Sequence, residues 1–479
     1  MSVGCRIAFP RRMSLAGYLA GALALGAVAL TGTMTAEATE TLTLKTVISI
    51  NKITSLDISF IDPVSGNYVL SDRTNKGVDV INTATNTAVM IAGQGLFTGS
   101  TTSNSTSGPN GVMIVRSREI WAGDGDSTLK FLSLATGKLL GQVSTGGQFR
   151  ADEMCYDSVH HIGFVANNAD FPPFITAVSA RNHKVIGKIV FDGTNGAPMA
   201  TNGIEQCQWN PRDGMVYVSV PEIAGPGDNS VPGGVSRIDP LTLHVVATAP
   251  VPISSCSGPA GLAIGPVLAG NGQMLLGCSG TVLNAAANRP TAVIDDGTQG
   301  GTFGTIVYTL PFQAGSDEVW YNSGDNHYYL ARSANNSSVN PNPNASVLGC
   351  PNTAGAINYG GNIYTSQNTQ GASFPGTQYA GPIALGMVNA LTGISNADTI
   401  TGLANCTATS PGPLGVGFAG VANTHGAAHS VAADSVHNQI YVPIPSTAFA
   451  AGMTGVCSAG GGSDANGCIA VYSTVGTDP

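Results

Sequence analysis

The sequence predicts an all-β chain folded as a seven-bladed β-propeller, and three observations carry that reading. ADEMCYDSVHHIGFVA at Ala151–Ala166 returns 165 residues later as SDEVWYNSGDNHYYLA at Ser316–Ala331. Both copies run Asp-Glu, an aromatic three residues after the Glu, Asp or Asn, a polar turn and an alternating strand. Looser copies start at Leu56, Ile204 and Ala428, and self-similarity at roughly forty to fifty residues, built from short strands, marks propeller blades. No copy shows the 3.6-residue period of a packed helix. The composition agrees: 63 Gly and 27 Pro among 479 residues, with only 10% charged and 43% hydrophobic, suit a chain of many tight turns.

In chain order, residues 1–38 read as a secretory signal. Arg6, Arg11 and Arg12 precede an apolar run from Leu15 to Leu30, and Ala36-Glu37-Ala38 offers a small-residue cleavage site. Thr41–Ile50 alternates like a strand but has no nearby hairpin partner, so it is expected to complete the last blade from the other terminus. Blades then begin near Leu56, Pro109, Ala151, Ile204, Gly258, Ser316 and Ala428 within one domain, 39–479. A segment rich in Asn, Ser, Pro and Gly, about 333–380, interrupts blade six before Ile383–Asn389 and Thr399–Leu403. It is too long for an ordinary connection and reads as a spacer or a lid. Six blades with a misplaced insertion is the structural alternative.

Removing the signal turns 19 basic and 28 acidic residues into 16 and 27, a net of −11. Without basic clusters such a chain is a poor nucleic-acid binder. No later stretch reaches the ~20 apolar residues of a membrane span. Removal also takes Cys5 and leaves eight cysteines, an even count that reads as disulfides in an exported protein. Proximity favours Cys457–Cys468 and Cys256–Cys278 within blades. Cys155 and Cys207 could join neighbouring inner strands, and Cys350–Cys406 would close the insertion. A periplasmic or secreted monomer is expected.

The stretches SDRTNKGVDVINTATNTAV (Ser71–Val89) and FLSLATGKLLGQV (Phe131–Val143) resemble the outer hairpins of YVTN and YncE-like propellers. GPNGVMIV at Gly108–Val115 is similar to the inner-strand opening of the SMP-30/gluconolactonase family. The second resemblance implies one divalent cation at the channel mouth, with Asn110 a direct match and Asp152 or Asp317 able to supply acids. It departs at Ala260, at Asp57 in place of the family's N-terminal Glu, and at His429.

Counting back four residues from the end of each inner strand finds Asp57, Asn110, Asp152, Glu205, Ala260, Asp317 and His429, separated by 53, 42, 53, 55, 57 and 112 residues. Equivalent positions at strand starts form a ring around a propeller's channel. The following residues add Glu153, Gln206 and Glu318, which strand alternation would turn to the opposite side unless the strand starts irregularly. Like charges about 4–6 Å apart raise pKa values or demand a cation. A divalent metal (Ca, Mg, Mn or Zn) on Asp57, Asn110, Asp152 and Asp317 is therefore one reading, and a polar, water-filled channel the other. With a metal, the chemistry would be addition of water to an ester or lactone, or a lyase reaction, with Glu205 or His429 as general base. The alternative is a non-catalytic binding or surface protein with a small-molecule or saccharide ligand in the channel. No G-x-S-x-G or C-x-x-C-H occurs, and AGGGSD at Ala459–Asp464 lies in a hairpin loop. Hence no serine hydrolase, nucleotide, haem or flavin is expected.

Overall fold

The structure, a computed structural model, describes residues 41–278, 291–310, 316–332, 356–359, 362–365, 385–391, 428–448 and 456–475. Five antiparallel sheets of four strands each follow one another in sequence order, from Leu56–Asp62 to Ile306–Leu310. A sixth sheet holds Ser316–Asn322, His327–Arg332 and Leu385–Asn389. The seventh takes Ala432–Asp434, Gln439–Ile444 and Cys468–Val475 from the end of the chain and Thr41–Ile48 from its beginning. That last strand runs antiparallel to Cys468–Val475, with Thr43 opposite Ser473 and Ile48 opposite Ile469. The chain is a seven-bladed β-propeller closed by its N-terminal strand.

Two features show the ring to be complete. The first strand of every blade lies against the first strands of both neighbours, so these seven strands line the axis. The buried apolar side chains form seven clusters, one in each interface between blades. Strand alternation produces that division. In Asn67–Asp72 the side chains of Tyr68 and Leu70 join the cluster shared with blade seven, while Val69 joins the one shared with blade two. Each blade is a sheet with two apolar faces and is stable only between neighbours. Gly163 shows how tight the interfaces are, since a Cβ there would lie 2.4 Å from the Trp121 ring.

Disulfides join Cys155 to Cys207, Cys256 to Cys278 and Cys457 to Cys468, with Cα separations of 5.6, 5.4 and 5.7 Å. The first ties the inner strands of blades three and four, and the other two each staple a single blade. The leader expected at 1–38, Cys350 and Cys406, the strand expected at Thr399–Leu403 and most of the insertion at 333–380 lie outside the described residues. Within the insertion a hairpin pairs Ala356–Tyr359 with Asn362–Thr365. Among the described residues no helix is long and apolar enough to cross a membrane.

The Cys155–Cys207 bridge closes a loop of 52 residues across two blades. Replacing both cysteines with Ala is expected to lower the unfolding free energy by roughly 2–4 kcal/mol. A urea melt monitored by circular dichroism would read this as an earlier midpoint with an unchanged native spectrum.

Candidate functional site

The axial positions depend on an irregularity repeated from blade to blade. In blades two, three and four, Gly123, Ala166 and Ser219 each face two consecutive residues of the inner strand. Each accepts an N–H from the first (Asn110, Asp152, Glu205) and donates to the carbonyl of the second (Gly111, Glu153, Gln206). In blades one, five and six the registers skip a residue in the same place. This leaves Asp57-Ile58 opposite Ser71, Ala260-Gly261 opposite Gly277, and Asp317-Glu318 opposite Ala331. Two residues against one is a β-bulge, and a bulge re-aims side chains that the pleat would send to opposite faces. Alternation therefore fails at these starts, and Glu153 and Glu318 both point to the axis, where they share a hydrogen bond. At the same position in blade two only Gly fits, because a Cβ on Gly111 would sit 1.8 Å from the carbonyl oxygen of Asp152.

The cluster has a buried floor and an open mouth. Glu153, Gln206 and Glu318 are at most 7% exposed. Gln206 spans the gap left by Ala260 and Gly261. Its Oε1 accepts from the backbone N–H of Leu262 at 2.7 Å and Val319 at 3.3 Å, and its Nε2 donates to the Val319 carbonyl at 3.2 Å. At the mouth the side chains of Asp317 and His429 are 33% and 37% exposed, and Glu205 is half-buried.

Two arginines supply charge that the sequence reading had assigned to a metal. Arg73 follows the second strand of blade one and is 6% exposed. It pairs with Asp57, donates from Nε and Nη2 to Asn110 Oδ1 at 3.1 and 2.5 Å, and reaches Asn104 Oδ1 at 2.6 Å. Arg150, two residues before Asp152, holds Asp152 Oδ2 at 2.7 Å and Asn168 Oδ1 at 3.2 Å. Asn168 in turn donates to Glu205 Oε2 at 3.4 Å. His429 bridges two acids, with Nε2 2.8 Å from Asp57 Oδ1 and Nδ1 3.2 Å from Asp317 Oδ2. The six polar ring residues thus fall into two strings. One runs Asn110–Arg73–Asp57–His429–Asp317, the other Asp152–Arg150–Asn168–Glu205.

These contacts set the ionisation of the site. Burial would raise Asp57, but Arg73 and His429 outweigh it and hold its carboxyl well below the usual range. Burial and the charge of Asp57 push Asp152 up to about 6 against the pull of Arg150. Glu153, Glu205 and Glu318 are driven well above the ordinary value, first by burial and then by neighbouring carboxylates. Burial works against the charge on His429, yet Asp317 and Asp57 raise it to about 9. At neutral pH it is an imidazolium with both nitrogens donating, and so has no lone pair free for a general base.

The residues expected to hold a divalent metal do not fit one. Asn110 gives its carbonyl oxygen to a guanidinium, and both oxygens of Asp57 are engaged by cations. Of the remaining acids, Asp152 gives Oδ2 to Arg150 and Asp317 gives Oδ2 to His429. Among the described residues no group of three His, Cys, Asp or Glu side chains is arranged to hold a metal ion. Of the other histidines, His160 and His437 cap their own turns through Asp157 and Asp434, and His183 stacks on Phe131. His425 lies outside the described residues.

No family model matches the chain. No curated protein matches its sequence. Among solved structures it is similar to Kuenenia stuttgartiensis hydrazine synthase, at 11% identity over 58% of this chain and 80% of that one, with a TM-score of 0.44. It is also similar to a chain of a mitotic checkpoint complex, at 14% identity over 67% and 82%, with a TM-score of 0.42. Neither likeness bears on what the axis binds.

Protonation of His429 stabilises the fold because its value rises from 6.5 to about 9 on folding. That contribution is complete below about pH 6.5 and is lost as pH rises through about 9. The melting temperature of the protein is expected to fall across this window. In His429→Gln that part of the decline should disappear, and an unchanged profile would remove His429 as its source. Arg73→Met, which leaves buried Asp57 with His429 as its remaining cation, is expected to cost roughly 3 kcal/mol, the low end for breaking a buried pair, in a denaturant melt.

Proposed function

We propose that this propeller is a periplasmic or secreted binding protein that takes a small uncharged polar molecule at its axis. One observation carries the reading. Within a cluster where three cations face three carboxylates, Asp152 Oδ1 is a buried acceptor and Arg150 Nη1 a buried donor, each without a partner among the described residues. The cations Arg73, Arg150 and His429 face the carboxylates of Asp57, Asp152 and Asp317, while burial keeps Glu153, Glu205 and Glu318 toward their neutral forms. A further ion would upset that balance. A neutral guest with adjacent donor and acceptor would complete it, relieving a penalty of about 1–3 kcal/mol for each unmade hydrogen bond. The signal-like 1–38 segment and the disulfides support export, and the resemblance to YVTN-like chains in Ser71–Val89 and Phe131–Val143 is in keeping with a binding role.

A second reading, a hydrolase or lyase working without a metal, has one observation in its favour. Asp152 near 6 and His429 near 9 place a base and an acid with separated ionisations at one axis. Burial-tuned pairs of this kind mark catalytic sites as well as binding sites.

The test is proton NMR of the His429 ring, assigned with His429→Gln, during titration with glycerol, neutral hexoses, hexuronates and short hydroxy acids. At least one uncharged probe is expected to shift the ring signals, and Asp152→Asn or Arg150→Met to abolish the shift. If no probe moves them, the axial binding site is wrong. Turnover of lactone or ester probes that is lost in Asp152→Asn would favour the hydrolytic reading instead.

A further inference from the structure

The two loops that hold Arg150 also carry exposed aromatic rings. One loop hands the chain from the last strand of blade two to the first strand of blade three, and Phe149 lies in it directly before Arg150. The other joins the second strand of blade three, Ile162–Asn167, to the third, Phe174–Ser179, and carries Phe171. Both connections lie at the end of the blade where the axial residues start, because the inner strand begins there and the second strand returns there.

The loops are fastened to each other. Asp170 accepts from the backbone N–H of Gln148 at 2.8 Å and of Phe149 at 3.3 Å. Asn167 Nδ2 donates to the carbonyls of Phe149 at 3.3 Å and Arg150 at 3.2 Å. Asn168, at the start of the second loop, also holds the Arg150 guanidinium. The same few residues therefore aim Arg150 inward and leave Phe149 36% and Phe171 77% exposed. Among the described residues neither ring joins any of the seven apolar clusters.

Taking the uncharged axial guest as given, we infer that it is a saccharide. Its hydroxyls would meet Asp152 Oδ1 and Arg150 Nη1, and the C–H face of its ring would lie on the Phe149–Phe171 rim. A pyranose matches this chemistry on both counts. It is neutral, and neighbouring hydroxyls each donate and accept, which suits one bare acceptor beside one bare donor. It also presents a flat face of C–H groups, which an aromatic ring covers well. A short acyclic polyol would satisfy the polar pair and leave the rings uncovered. An organic anion would add negative charge beside six carboxyl groups.

The experiment is calorimetric titration of the purified full chain with glucose, galactose, mannose, glucuronate, glycerol and lactate, each alone. It is repeated with Phe171→Ala, Phe149→Ala and Asp152→Asn. Phe171 is exposed, so its replacement leaves the fold intact. At least one neutral hexose is expected to bind in preference to glycerol. Loss of one ring is expected to weaken it about three- to tenfold, and Asp152→Asn to weaken it further. Hexose binding that Phe171→Ala and Phe149→Ala leave unchanged overturns the stacked saccharide. Tighter binding of glycerol overturns the saccharide while leaving the uncharged axial guest standing, whereas tighter binding of glucuronate or lactate overturns the uncharged guest itself. Absence of binding by all six probes removes both.

Discussion

At the start of the inner strands of blades three, four and six the backbone presents two neighbouring polar side chains to one narrow channel, although a regular pleat sends neighbours to opposite faces. The bulge that sets Asp152 and Glu153 against Ala166, and Asp317 and Glu318 against Ala331, resolves this. Everything at the axis follows from it. Without the extra residue, Glu153 and Glu318 would enter the apolar interfaces between blades, where a carboxyl has no partner. With it, blades three and six, across the ring from each other, meet through two acids. The bulge also explains why only Gly or small residues stand beside the ring in blades two and five: the re-aimed neighbouring backbone fills the space a side chain would need.

Six carboxyl groups cannot all ionise in a channel walled by apolar blades. Isolated burial of each charge would cost several kcal/mol, and like charges at these separations add to that. The molecule meets the problem in two ways at once. Toward the open mouth, charges are kept and matched: Arg73 and His429 on Asp57, Arg150 on Asp152, His429 on Asp317. On the floor, where no cation reaches, burial raises both Glu153 and Glu318 toward their neutral forms, and the two bond to each other. Arginine suits the first task because its planar fork can serve several acceptors, and Arg73 serves Asp57, Asn104 and Asn110 together.

The fold was legible in the sequence because it rests on repetition. The blade starts, the closing N-terminal strand and the Cys155–Cys207 pairing follow from counting copies, the Cys256–Cys278 and Cys457–Cys468 pairings follow from proximity in the chain, and the structure has them all. The ring positions were legible for the same reason, as one residue per copy. What they touch was not. Arg73 has no counterpart in the other blades, so a repeat alignment passes over it, and its partners Asn104 and Asn110 lie 31 and 37 residues away on the next blade. Arg150 was nearer to view, two residues before Asp152, but a lone Arg in a turn reads as solvated. Missing both cations made a metal look necessary. The direction of Glu153 and Glu318 was open for a different reason, since a bulge leaves no composition signal when its residues are not Gly.

The ring is also lopsided, and the asymmetry bears on function. Blade five contributes only Ala260 and Gly261, and Gln206 covers that gap with hydrogen bonds to the backbones of blades five and six. The cations stand on the opposite arc, on blades one, three and seven, and the bare donor and acceptor both belong to blade three. A purely structural plug would gain most from symmetry, with each blade contributing alike and every polar atom paired. Here one sector is sealed by an amide while another keeps an Arg and an Asp each half satisfied, beneath loops that hold aromatic rings in solvent. An arrangement of that kind orients a guest: it fixes which side of a bound molecule meets polar atoms and which meets Phe149 and Phe171.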